Sequence, residues 1–149
     1  MVDLSWEEIE KMADDLAERI KNSGFKPDYL VGITTGGLVP LGLLAKRLDF
    51  ESILTVSTTS YDDGHNQKEL KVTYLPEVDL KGKKILLIDE IADSGATLEK
   101  LREIFMDRYQ VKELKIATLA VNKGKSVIIP DFYALAGMGE WIHFPWEPK

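Results

Sequence analysis

The chain has no cysteine, which removes disulfide frameworks, thiolate metal sites and thiol catalysis together and accords with a reducing compartment. Basic charge is also scarce, with 19 Lys and Arg against 25 Asp and Glu for a net charge of −6. Phosphate backbones and acidic membrane surfaces demand basic surface, so neither nucleic acid nor membrane is an expected partner. No apolar run approaches the ~20 residues needed to span a bilayer. The opening Met1-Val-Asp-Leu-Ser-Trp-Glu-Glu8 lacks the basic and apolar regions of a signal peptide. No repeat, low-complexity tract or linker interrupts the sequence, so a single cytoplasmic domain over residues 1–149 is expected.

What is present is an alternation of apolar runs and amphipathic segments. Ser5 and Glu8 form a capping-box pattern ahead of Ile9, Met12, Ala13, Leu16, Ala17 and Ile20 at helical spacing, and Asn22-Ser-Gly24 ends that helix. Tyr29 to Ile33 reads as a buried strand broken by Thr34-Thr-Gly-Gly37, and Leu38 to Leu48 as a second helix. Ser52 to Thr59 and Leu70 to Leu75 read as extended, separated by the polar stretch Tyr61 to Lys68, which is expected to be mobile. Ile85 to Ile88 is another apolar strand, closed by Asp89-Glu90, and Ala96 to Tyr109 a third helix striped by Leu98, Leu101, Ile104 and Phe105. Leu114 to Val121 and Phe132 to Ala136 supply two further strands. Apolar strands alternating with helices predict an α/β, doubly wound, largely parallel sheet covered on both faces. Ligands of such sheets bind beyond the carboxyl ends of the strands, which directs attention to the loops at 34–37 and 89–97.

The second loop is the more informative. In Asp89-Glu-Ile-Ala-Asp-Ser-Gly-Ala-Thr97, two adjacent carboxylates are followed by a Gly- and hydroxyl-rich segment that opens a helix. A helix N-terminus of that kind is an anion cradle. The acids repel phosphate but can hold hydroxyl groups or a divalent cation. The combination fits a ribose phosphate. The plain alternative is a strand end with a helix capped by Asp93 or Ser94. A P-loop reading fails at both places that approach its spacing. Leu38 and Val39 stand where Lys and Ser/Thr are required after Gly37, and Leu119 stands where Gly124-Lys-Ser126 would need its first glycine. A phosphoacceptor receiver domain is disfavoured because its acid pair belongs near the end of the first strand, whereas here the pair arrives at residue 89.

At these residues the chain resembles the type I phosphoribosyltransferases. The stretch 89–97 is similar to that family's binding motif for phosphoribosyl pyrophosphate (PRPP), and Gly32-Ile-Thr-Thr-Gly-Gly-Leu-Val-Pro40 to its pyrophosphate loop. Ser60-Tyr-Asp with Asn66-Gln-Lys-Glu-Leu-Lys-Val72, and the ending Glu140-Trp-Ile-His-Phe-Pro-Trp146, resemble the hood and C-terminal segment of its 6-oxopurine branch. The resemblance implies a five-stranded, largely parallel sheet with flanking helices, a small hood at about 60–72 and a C-terminal base-binding segment at about 136–149. It implies purine salvage, in which PRPP and a purine base (hypoxanthine, guanine or xanthine) give a nucleoside 5′-monophosphate and pyrophosphate with Mg²⁺ present, in a dimer or tetramer. Another acceptor such as adenine, or a PRPP- or nucleotide-sensing regulator on the same fold, stays open as an alternative.

By the same resemblance, Asp89, Glu90 and Asp93 are the catalytic candidates. Asp89 and Glu90 would hold the ribose hydroxyls and, through them or through water, Mg²⁺. Asp93 would handle the proton on the imidazole edge of the base. The 5′-phosphate would sit on Asp93, Ser94, Gly95, Ala96 and Thr97, and the pyrophosphate on Thr34, Thr35, Gly36 and Gly37. Thr35 stands where the most similar bacterial members of the branch carry an arginine, leaving Lys68, and secondarily Lys71, to supply a cation. Ser60 and Tyr61 would close over the reaction. Trp141 would stack on the base and the backbone at Ile142 would read its edge. Asn122, or Lys123 beside it, would take the place of the lysine that contacts the 6-oxo group. Trp146 is expected to be core, His65 an exposed loop residue, and His143 receives no role.

Overall fold

The structure, a computed structural model, describes residues 1–62 and 68–148, with the backbone alone for Tyr61, Asp62 and Lys68. Its elements run β1 (Val2–Asp3), α1 (Trp6–Ser23), β2 (Tyr29–Thr34), α2 (Leu38–Arg47), β3 (Ile53–Asp62), β4 (Lys68–Tyr74), β5 (Lys84–Ala92), α3 (Ala96–Asp107), β6 (Glu113–Asn122), β7 (Phe132–Gly137) and β8 (Ile142–His143).

Local chemistry sets the helix ends. Ser5 Oγ accepts the Glu8 N–H at 3.1 Å while Glu8 Oε1 accepts the Ser5 N–H at 3.1 Å, the reciprocal capping box. Beyond it, Ile9, Ala13, Leu16, Ala17 and Ile20 form the buried face of α1. The main sheet has six strands in the order β4-β3-β2-β5-β6-β7. All neighbours are parallel except β3 and β4, which pair antiparallel from Ser57–Tyr74 out to Asp62–Lys68. The sheet thus exceeds the expected five strands by one. Five strands are parallel, and the sixth is the return strand of the β3–β4 hairpin, which also extends ordered pairing into both ends of the segment expected to be mobile. The remainder of that segment, including His65, lies outside the described residues.

The central strands are apolar on both faces, as a sheet covered by helices requires. One side packs Leu30, Leu86, Ile88 and Leu119 against Leu16, Ile20, Leu41 and Leu44 of α1 and α2. The other packs Val31, Leu87, Ile116 and Val121 against Leu98, Leu101 and Phe105 of α3. Because β2, β5 and β6 run parallel, their carboxyl ends gather at one edge, where the loops after Thr34 and Asn122 and the far end of β5 meet. A separate two-stranded parallel pair, β1 with β8, joins the two termini, with Val2 beside Ile142 and Asp3 beside His143. No helix is long and apolar enough to cross a membrane among the described residues.

Candidate active site

Strand β5 does not end at its acid pair. It carries Asp89 and Glu90 within its length and continues to Ala92, so regular backbone fixes both carboxylates. Their surroundings differ. Asp89 Oδ1 accepts the Glu90 backbone N–H at 2.8 Å. Burial pushes the Asp89 carboxyl up, to about 7, despite that hydrogen bond, and the neighbouring Glu90 charge adds to the rise. Glu90 is also raised, first by burial and then by the Glu147 charge, against the lowering effect of a hydrogen bond from Trp146. That bond runs from Trp146 Nε1 to Glu90 Oε2 at 2.9 Å. Trp146 packs on the core as expected, but it also reaches the acid pair, which sequence reasoning missed.

Across from Glu90 lies the loop after β2. Thr34 Oγ1 donates to Ser57 Oγ at 2.8 Å, the Thr34–Thr35 peptide is cis, and Thr35 is exposed. Gly36 abuts Glu90 so closely that a Cβ there would stand 2.6 Å from Glu90 Cδ and 2.7 Å from Oε1. Only a residue without a side chain allows this approach. The Gly37 N–H is donated to the Ile33 carbonyl at 2.8 Å, so within this loop it serves the start of α2.

The loop between β5 and α3 is built on Gly95, which is the N-cap of α3 with φ +82°. Neither Asp93 nor Ser94 occupies that cap. A Cβ on Gly95 would also stand 2.7 Å from Ser126 Oγ, so conformation and packing both require glycine. Ser94 Oγ accepts the Ala96 N–H at 3.3 Å, and the Ser94 carbonyl accepts the Val127 N–H at 2.9 Å, tying this loop to the turn after β6. The backbone of residues 94–97 therefore presents the N-terminal turn of a 12-residue helix at the sheet's carboxyl edge.

Beside it opens a cleft of about 240 Å³ whose lining includes Asp93, Asn122, Lys125, Trp141 and Ile142. Asp93 is its centre. Asn122 Nδ2 donates to Asp93 Oδ1 at 2.7 Å, and Lys125 Nζ donates to Oδ2 at 2.8 Å. Burial pulls the Asp93 carboxyl upward, but the hydrogen bonds from Lys125 and Asn122 and the Lys125 charge outweigh it and hold the group below its ordinary value. The amide of Asn122 is oriented by the carboxylate, which can only accept. Its Oδ1 is consequently turned inward, buried without a partner, 2.6 Å from where a Gly137 Cβ would lie.

Lys123 takes no part. Its ammonium stands 5.0 Å above the Tyr133 ring, away from the cleft. Lys125, which sequence reasoning passed over, arrives instead because the turn after β6 reverses the chain, with the Lys125 and Ser126 N–H groups donating to the Asn122 carbonyl at 3.1 and 2.8 Å. No local signal marks it, since Gly124 in that turn has neither a left-handed backbone nor a close neighbour that would require glycine. Trp141 is 65% exposed at the cleft mouth, and Ile142 is buried in β8. The strand-pairing register places Ser60 opposite Leu70 in the hairpin, and Lys68 opposite Asp62. A larger hollow of about 440 Å³, lined by Phe25, Lys26, Pro27, Asp49 and Phe50 among others, lies at the opposite, amino end of β2 and β3. It brings together none of the candidate residues.

The model of the phosphoribosyl transferase domain matches residues 4–149. The chain belongs to the phosphoribosyl transferase family. The xanthine-guanine phosphoribosyltransferase of Cereibacter sphaeroides is 30% identical over 97% of this chain and 85% of its own length. Among solved structures, a purine phosphoribosyltransferase from Pyrococcus horikoshii superposes with a TM-score of 0.86 at 32% identity, covering 99% of this chain and 95% of that one. The Helicobacter pylori xanthine-guanine-hypoxanthine phosphoribosyltransferase does so with a TM-score of 0.86 at 27% identity, covering 98% and 93%. As a phosphoribosyltransferase, the chain places its acid strand, glycine loop and helix N-terminus at the same edge of a largely parallel sheet.

Proposed function

We propose that this phosphoribosyltransferase transfers the 5-phosphoribosyl group of PRPP to a 6-oxopurine, giving the nucleoside 5′-monophosphate and pyrophosphate. The observation that carries the acceptor is the Asn122–Asp93–Lys125 cluster in the cleft beside Trp141. Asp93 offers an acceptor for a ring N–H, and Lys125 offers donors next to it. An oxopurine presents the complementary pair, a carbonyl acceptor close to an imidazole N–H. An aminopurine would turn a donor toward that ammonium, and the amide oxygen beside it, Asn122 Oδ1, is buried. The purine-specific names of the relatives support the same reading.

In the reaction, a bond forms between a base nitrogen and the ribose C1′ while the C1′–pyrophosphate bond breaks, and the proton on the imidazole edge passes to Asp93. The backbone of residues 94–97 with Ser94 and Thr97 holds the 5′-phosphate, and the loop at 34–37 holds the pyrophosphate. Asp89 and Glu90 hold the ribose hydroxyls and favour the positive charge that develops on the sugar. When the base carbonyl takes hydrogen bonds from Lys125, Asp93 loses part of what keeps it a weak base and becomes better suited to accept the proton. Trp141 supplies the stacking surface, and Ser60 and Tyr61 of the hairpin exclude water.

The donor set fits a magnesium ion that arrives with its substrate. No group of three or more His, Cys, Asp or Glu side chains forms a metal cage among the described residues, and Mg²⁺ is commonly held by one or two carboxylates together with substrate phosphates. Asp89 and Glu90 would hold it, and it would neutralise charge on the departing pyrophosphate.

Nucleotide formation from PRPP and Mg²⁺, with hypoxanthine, guanine, xanthine and adenine offered separately, tests the proposal. Product from one or more oxopurines is expected. Product from adenine alone would overturn the acceptor, and silence with all four would overturn the activity.

A further inference from the structure

We infer that Trp146 is a positioning residue for PRPP, holding the Glu90 carboxylate against the Gly36 loop and so making the C-terminal segment a determinant of affinity on the sugar side of the site. This rests on the reading of the chain as a PRPP-using enzyme but concerns a residue to which that reading gives no task.

The geometry is a clamp with three parts. From one side, the Trp146 indole N–H donates to Glu90 Oε2 at 2.9 Å. From the other, the backbone of Gly36 lies so near that a Cβ there would be 2.6 Å from the Glu90 carboxyl carbon. The third part fixes the indole itself. Its ring stacks on Phe144 with centroids 4.9 Å apart and planes 15° from parallel, and meets Trp6 at 5.8 Å and 53°. The turn that carries it is closed twice, by Glu147 N–H to the Phe144 carbonyl at 3.0 Å and by Phe144 N–H to Glu147 Oε1 at 3.3 Å.

A glutamate side chain has three rotatable bonds and would sample several orientations next to an open loop. An indole offers one donor and no acceptor, so its bond to Glu90 selects one carboxylate oxygen and leaves the other toward the loop. Packing alone would have been met by phenylalanine. The N–H is what distinguishes tryptophan here, and it is aimed at one of the two acids read as holding the ribose. The same C-terminal segment also bears Trp141 at the base cleft, held there by different contacts.

The test separates the N–H from the ring. Binding of PRPP with Mg²⁺ is measured by calorimetry without acceptor base, and KM and kcat are then measured with the best oxopurine. W146F, which keeps an aromatic ring without the donor, is expected to weaken PRPP binding about tenfold, within the range for a hydrogen bond to a charged group, and to leave the KM for the base within about twofold. W6F, which keeps an aromatic ring beside the indole and removes no bond to Glu90, is expected to lower PRPP affinity less than W146F does. In an E90A background, W146F should add no further loss. If W146F does not fold, benzothienylalanine at position 146, with sulfur in place of the N–H, takes its role. Wild-type affinity in the ring-preserving variant, or an equal loss with and without Glu90, would overturn the inference while the PRPP reading stands. Failure of the wild-type protein itself to bind PRPP would overturn both.

Discussion

Lys125 reaches back across the turn that follows β6 to place its ammonium 2.8 Å from Asp93 Oδ2, while Asn122 holds the other oxygen at 2.7 Å. Both oxygens of the residue proposed to take the proton are therefore engaged. Asp93→Asn is expected to retain PRPP and base binding but lose turnover by about 10²–10⁴-fold, the usual worth of a general base. The Lys125–Asp93 pair has side chains 57% and 39% exposed, and exposed pairs contribute only about 0–1 kcal/mol, so the melting temperature should barely change. Near wild-type turnover in this variant would remove Asp93 from the mechanism.

Lys125→Met should raise the KM for an oxopurine by about 10–100-fold, on the scale of a lost hydrogen bond to a charged donor, and leave PRPP binding intact. The pH dependence gives an independent sign. Lys125 lowers the Asp93 carboxyl, so removing it raises that group and moves the acidic limb of the kcat/KM profile to higher pH. Lys123→Met, whose ammonium sits over Tyr133, should change neither quantity. If Lys123 rather than Lys125 controlled the KM for the base, the assignment of the cleft would fail.

The difference between these two lysines shows how far the sequence could be read. Element types followed from periodicity because the strands are apolar on both faces and α1 carries its own capping box. The acid strand and the Gly95 loop were legible because local chemistry, a helix start and a φ of +82°, restricts the residues that fit. Lys125 and Trp146 were not. Each acts through a contact across more than 30 residues, Lys125 to Asp93 and Trp146 to Glu90, and no local pattern encodes a partner at that distance. The sixth strand was legible as the extended segment at 70–75, and what escaped was its place in the sheet, since β4 gains its pairing only from β3.

Asp89 predicts how stability responds to pH in the absence of substrate and magnesium. Its carboxyl is raised from 3.8 to about 7 in the folded protein, chiefly by burial, so the folded state binds the proton more tightly than the unfolded state. The resulting stabilisation is full below about 3.8 and is lost as pH rises toward and through 7. Glu90, also raised, adds a change of the same sign. Urea unfolding with chelator present should show the stability of the wild-type protein falling relative to that of Asp89→Asn between pH 5 and pH 8, as ordinary assay limits spanning the range in which this carboxyl ionises. A constant difference between the two proteins would mean that Asp89 is ionised throughout.

Gly36→Ala tests the approach of the loop to the acid pair. The new methyl would lie 2.6 Å from Glu90 Cδ, and the side chain rather than the β5 backbone is the part free to move. Displacing Glu90 breaks its bond to Trp146, so PRPP affinity should fall about tenfold or more, with a stability loss of no more than about 1–2 kcal/mol. PRPP binding equal to that of the wild type would show that the position of Glu90 does not set affinity.

The pairing of the two termini leads to a selective effect on the base. Val2 donates to the Trp141 carbonyl at 2.7 Å and Leu4 to the His143 carbonyl at 2.9 Å, while Asp3 Oδ1 lies 3.0 Å from His143 Nδ1. The segment carrying the exposed Trp141 is thus held on one side by the first residues of the chain. Deleting residues 1–3 removes the Val2 bond, the Asp3 contact and strand β1, and leaves the β8 edge only the Leu4 bond. Two lost hydrogen bonds at about 0.5–1.5 kcal/mol each correspond to a fall in melting temperature of several degrees, at roughly 2–4 °C per kcal/mol for a chain of this size. The KM for the base should rise several-fold because Trp141 loses its fixed position. PRPP affinity should hold, since Trp146 is anchored separately by Phe144 and Trp6. An equal loss for both substrates would show that the C-terminal segment moves as one piece, and an unchanged KM for the base would show that Trp141 needs no support from the N-terminus.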